Sequence, residues 1–158
     1  MKKRICSLLI ATMMMLILVP GIASAETYGG EFNSATSDPN GNKYICIWIF
    51  DESSGTLYIE GVGELPEYND STNKPPWVDY RSSIKTLVIE EGITVIGKGV
   101  FQKHKALTSI SFPSTIKQLK ARSFMDCDKL ESVTLPSTTS VDANAFVNCD
   151  KNPTINRE

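Results

Sequence analysis

Three segments of the chain coincide when laid on one another at a shift of 22 or 23 residues. Leu87, Ile110 and Val133 fall together. So do Ile89, Phe112 and Leu135, and so do Phe101, Phe124 and Phe146. The third copy is one residue short, between Pro136 and Val141. No other feature constrains the fold as strongly. A unit of about two dozen residues cannot enclose a core of its own, so it must stack on its neighbours to cover its apolar side.

Each copy begins with a short alternating run (Leu87 and Ile89; Ile110 and Phe112; Val133 and Leu135) that reads as a strand with one face inward. Pro113 and Pro136 end the strand and turn the chain. Ile93 and Ile116, then Ile96, Leu119 and Val141, line a second side, and the phenylalanine plugs the interior. This period is that of one leucine-rich-repeat coil. The expected fold is therefore a β-rich leucine-rich-repeat solenoid of three coils of about 23 residues with a parallel strand stack. The coils cover about 84–107, 108–130 and 131–153, within a repeat region of 82–158 that ends in a short tail.

Pro113-Ser-Thr-Ile116 through Phe124-Met-Asp-Cys127-Asp-Lys-Leu130, followed by Val133-Thr-Leu135-Pro136, resembles the BspA-like subfamily of bacterial leucine-rich repeats. That pattern has Pro-Ser, then Ala-Phe-x-x-Cys, then a leucine before the next strand. The first copy departs from it, with Glu91-Gly92 in place of Pro-Ser and His104 in place of the cysteine. The third has Asn152-Pro153 where the closing leucine belongs. The resemblance implies adhesion or surface recognition, directed at proteins of a host or a neighbouring cell.

Ahead of the repeats, Tyr44 to Phe50 and Thr56 to Glu60 read as two strands joined by a turn at Asp51 to Gly55. This hairpin resembles the N-terminal cap of BspA-like proteins, and Pro75-Pro76-Trp77 resembles the link to the first coil, so 44–81 is expected to be β-hairpin cap and linker. Residues 26–43, rich in Gly, Ser, Asn and Asp, read as a flexible leader. One conflict stands out. Ile45, Ile47 and Ile49 alternate with Cys46, Trp48 and Phe50, so the strand is apolar on both faces. A strand with one wet face should alternate apolar with polar. Either the leader or the Trp77 region folds over the isoleucines, or a second molecule covers them in a homodimer.

Residues 1–25 read as a signal peptide. Lys2, Lys3 and Arg4 precede an apolar stretch from Leu8 to Val19, and Ala23-Ser24-Ala25 suits cleavage after Ala25. The stretch is short for a membrane span. Without these residues 13 basic side chains remain of the 16, against 18 acidic ones, a net charge of −5 with no basic stripe. That argues against nucleic acid and against an anionic membrane as partners after cleavage. Secretion or cell-surface association is the expected localisation, and the odd set Cys46, Cys127 and Cys149 leaves at least one thiol unpaired within the chain.

Catalytic machinery, a metal site and a cofactor are not expected. His104 is the one histidine and occupies the cysteine slot of its coil. Two thiols, Cys127 and Cys149, on adjacent coils make too small a ligand set for a metal. The acids Glu64, Glu67, Glu90 and Glu91 are not placed across a cleft by anything in the sequence.

Two candidate partner-binding surfaces follow for a protein or glycan. One is the outward strand row Thr86, Val88, Ser109, Ser111, Ser132 and Thr134; the other is the aromatic linker with Trp77 and Tyr80. Ile45, Ile47 and Ile49 are the candidate self-association residues. The reading is a secreted non-enzymatic interaction module. The alternatives are a structural self-associating unit and, behind it, a hydrolase accessory protein.

Overall fold

The computed structural model describes residues 26–158. The segment read as a signal peptide lies outside the described residues. Among those residues no helix is long and apolar enough to cross a membrane, and the helical content is one 3-10 turn, Val78–Tyr80.

Three groups of strands make up the rest. The first sheet runs β1 (Thr27–Ser37), β2 (Lys43–Asp51), β3 (Thr56–Glu60), β5 (Thr86–Ile89) and β7 (Ser109–Ser111), in that spatial order. The second runs β4 (Gly63–Glu64), β6 (Ile93–Ile96), β8 (Gln118–Leu119) and β10 (Ser140–Val141). β9 (Ser132–Leu135) pairs in parallel with β11 (Thr154–Arg157), from Thr154↔Ser132 to Arg157↔Leu135. β1, β2 and β3 are antiparallel neighbours; from β3 onward every pairing is parallel.

The alternation in each repeat accounts for the parallel part. In β5 and β9 the second and fourth residues are buried and the others face out. The chain then turns, lays down the short strands of the second sheet, and returns past the aromatic plug. Phe101, Phe124 and Phe146 stack as one column, with centroids 5.4 and 5.3 Å apart and ring planes within 19° and 12° of parallel. Ile84, Leu107 and Leu130 close successive coils and are fully buried. Lys103, Asp126 and Asn148 recur at left-handed φ near 60° in the turn after the plug, so the backbone repeats along with the side chains.

Three differences from the sequence expectation have physical causes. First, the parallel stack begins earlier than three coils would allow. β3 pairs antiparallel with β2 on one edge and parallel with β5 on the other, with Leu57↔Leu87 and Ile59↔Ile89, while β4 pairs with β6. Trp77 stacks on Phe101 at 5.6 Å and 21°, extending the column. The stretch read as a linker thus follows the path of a coil.

Second, residues 27–37 are not a loose leader but strand β1, paired with β2 from Thr27↔Asp51 to Asn33↔Ile45. Its Gly-rich composition disfavours a strand, but ladder hydrogen bonds to β2 and burial of Tyr28 and Ser34 override that preference. The Ser34 hydroxyl donates to the Glu64 carbonyl at 2.8 Å, and the Glu64 amide donates to Thr36 Oγ1 at 2.9 Å, tying β1 to the second sheet. Asp38-Pro39-Asn40-Gly41 forms the turn into β2, its Asp38 carboxylate accepting from the Asn40 and Asn42 amides at 2.9 and 2.8 Å.

Third, neither β1 nor the Trp77 region covers the isoleucines. β1 lies beside β2 within the sheet, and Trp77 is fully buried on the opposite, inner side.

Candidate interaction face

On β2, Cys46, Trp48 and Phe50 point into the core, and Ile45, Ile47 and Ile49 point out. Ile45 is 58% exposed, an unusual position for an isoleucine in mid-strand; Ile47 and Ile49 are half-buried. Register carries this outward parity across the sheet. Ile49 lies beside Tyr58, Tyr58 beside Val88, and Val88 beside Ser111. Ile47 lies between Glu31 on β1 and Glu60 on β3. Thr86 lies beside Ser109.

The two surfaces that the sequence treated separately, the isoleucines and the strand row, therefore share one outer face. Its N-terminal half is apolar with acidic edges. Its C-terminal half is small and polar, with Ser109 and Ser111 on β7 and Ser132 and Thr134 on β9 all exposed. Thr86 and Val88 between them are half-buried.

The rival aromatic site is not on any surface. Trp77 is fully buried, stacked on Phe101 and edge-on to Phe32 at 5.4 Å. Tyr80 is 8% exposed, packed against Tyr28 at 4.8 Å and Phe50 at 5.1 Å. Both belong to the core because the segment carrying them takes a coil's path, which turns its aromatic residues inward. They are withdrawn as partner-binding candidates.

Sequence reasoning missed Tyr58, Glu60 and Glu90 as members of the outer face. Their parity relative to Leu57, Ile59 and Ile89 was the available signal. Glu60 and Glu90 follow the paired Ile59↔Ile89 on adjacent strands. Burial and the neighbouring Glu90 carboxylate push the Glu60 carboxyl up. The acids Glu64 and Glu67 instead share Lys120, at 3.8 and 3.4 Å, and do not oppose Glu90 or Glu91.

His104 lies in the core. Its Nδ1 is 2.8 Å from the Phe101 carbonyl, its ring is edge-on to Phe101 at 5.7 Å, and burial lowers its pKa to about 4. It takes the slot that Cys127 and Cys149 fill in later coils, where each thiol donates to a carbonyl of the preceding coil, Phe101 at 3.4 Å and Phe124 at 3.2 Å. Cys46, Cys127 and Cys149 are buried free thiols. The neighbouring Cys149 and burial hold Cys127 protonated, far above the usual thiol range.

Parallel strands stacked at a repeat of about two dozen residues, with one aromatic plug per turn, define a leucine-rich-repeat solenoid. The model of the BspA type leucine rich repeat region matches residues 76–157, with six copies, and the chain belongs to that family. Among solved structures, a leucine-rich repeat protein from Eubacterium ventriosum superposes with a TM-score of 0.54 at 19% identity, covering 80% of this chain and 40% of that one. A leucine rich cell surface protein from Faecalibacterium prausnitzii gives a TM-score of 0.48 at 19% identity, over 70% of this chain and 31% of that one. The chain thus spans less than half the length of either. No curated protein matches it.

Proposed function

We propose that the chain is a secreted, non-enzymatic interaction module for adhesion or surface recognition, which holds a protein or glycan partner on its outer strand face. We read the exported chain as starting after Ala25, with the antiparallel β1–β3 part serving as the N-terminal cap that covers the open end of the coils. The supporting observation is the outer face, whose paired register runs from β2 to β7 with β9 packed after it. It offers half-exposed apolar side chains at one end and short hydroxyl side chains at the other. Small side chains let a partner approach the backbone closely, and the aliphatic end supplies area that gains from being removed from water. Membership of the BspA type leucine rich repeat family is consistent with this role.

Replacing Ser109, Ser111 and Ser132 with Arg tests the face. Residues 26–158 carrying these changes should keep the native unfolding transition but lose partners captured from surface proteins and glycans; capture at the unaltered level would remove the face from the reading.

The exposure of Ile45 favours one alternative, a structural unit that self-associates through Ile45, Ile47 and Ile49. Light scattering over a range of protein concentrations separates the two. A mass fixed at one chain supports the partner-binding module, and a mass that doubles supports the alternative.

A further inference from the structure

At the N-terminal end of the outer face lies an open depression of about 420 Å³. Ile45 and Ile47 form one wall, and Glu60, Gly61, Glu90 and Glu91 form the other. The two walls have opposite chemistry. The isoleucines offer aliphatic surface with no polar group to satisfy. Glu60 ends β3 and Glu90 directly follows β5, the neighbouring parallel strand, whose backbone spacing is about 4.8 Å, and burial with the nearby Glu90 charge pushes the Glu60 carboxyl up.

Among the described residues no basic side chain forms an ion pair with Glu60 or Glu90. Lys43, on the same strand as Ile45, directs its ammonium at the Ala35 carbonyl, 2.7 Å away. The site therefore carries uncompensated negative charge beside bare aliphatic surface. A second copy of this chain is a poor occupant. A two-fold contact would bring the same carboxylates face to face, in a chain whose net charge after Ala25 is −5.

Resting on the interaction reading above, we propose that this depression takes an arginine side chain flanked by aliphatic residues, presented by a partner protein. Its methylene stem lies on Ile45 and Ile47, and its guanidinium bridges Glu60 and Glu90. A planar guanidinium has enough donors to meet two carboxylates at once, and its stem is apolar, so one side chain complements both walls. Lysine fits the same place more weakly, as a single point charge.

The test is a titration of residues 26–158, carrying labelled isoleucine methyl groups, with the blocked tripeptide Leu-Arg-Leu. The Ile45 and Ile47 signals should shift and saturate with a dissociation constant on the order of 1 mM. Raising salt from about 0.05 to 0.5 M should weaken binding about fivefold. Glu60→Gln with Glu90→Gln, in a chain whose remaining methyl spectrum is unchanged, should abolish the shifts.

Equal shifts from Leu-Gln-Leu, or none from Leu-Arg-Leu at about ten times that concentration, would overturn the proposal. Shifts that grow with protein concentration without peptide would overturn it in favour of a second copy. The broader reading is scored separately. If captured partners are lost with the Ser109, Ser111 and Ser132 substitutions but kept with Glu60→Gln and Glu90→Gln, the arginine site falls and the face stands.

Discussion

Phe124 is fully buried between the rings of Phe101 and Phe146, with Phe112 edge-on at 5.8 Å. Truncating it removes stacking on both sides and leaves a void that neighbouring coils cannot fill without shifting. Phe124→Ala should cost about 3–5 kcal/mol in chemical denaturation, and a near-neutral change would contradict the column. His104 makes a second prediction at this scale. Its folded pKa of about 4 lies below the free value near 6.5 because the charged ring would be stranded in the core. The unfolded chain therefore takes up the proton first. This contribution to stability is complete above about pH 6.5 and is lost as pH falls toward 4, to a total of about 3 kcal/mol. His104→Cys, restoring the residue used by the later coils, should flatten that part of the pH–stability curve. The plug and the histidine's slot were both legible in the sequence, because a residue's place in a repeat is fixed by its copies. Glu60 was passed over, and Glu90 weighed only as a hydrolytic acid, because a charged residue on a strand is ordinary; only the adjacent isoleucines make these two unusual.

Elements were legible where the period was regular. β5, β7 and β9 follow from alternation at a fixed spacing. The coil before them was hidden because its copies do not align at 23. Leu57 is 30 residues ahead of its partner Leu87, and Gly63 is 30 ahead of Ile93, whereas Trp77 is 24 ahead of Phe101. The surplus sits in the loop between Leu65 and Trp77. There the Asn69 side-chain oxygen accepts from the Ser71 and Thr72 amides at 2.9 and 2.8 Å, and Asp70 pairs with Arg81 and Lys103. An inserted loop with its own capping disguises a coil without changing its path. β1 was hidden differently, since it is held by backbone pairing with β2 and by a few side chains, Tyr28 and Ser34 among them, that follow no repeat period. Hydrogen exchange is the check. Amides of alternate residues from Thr27 to Asn33 should be protected, those facing β2; uniform fast exchange would restore the flexible leader.

At the scale of the whole molecule, each coil packs mainly on the coils on either side of it, the Lys120 pairs with Glu64 and Glu67 reaching one coil further, so stability is close to a sum over neighbouring interfaces. Several contacts across one interface are made again across the next: ring on ring in the column, thiol on carbonyl from Cys127 and Cys149, and hydroxyl on carbonyl from Thr115 and Thr139. Excising residues 108–130 joins Leu107 to Glu131 and brings Phe101 against Phe146 in the geometry each now has with Phe124. The shortened chain should fold, with a native-like β signal in circular dichroism and a lower unfolding midpoint. Removal of half as many residues should leave it unfolded, because the inward and outward parities would no longer match. The column of rings thereby acts as a ruler. It permits change in whole turns and forbids fractions of one, so the width of the outer face can be set in discrete steps while the chemistry at its acidic end is left alone.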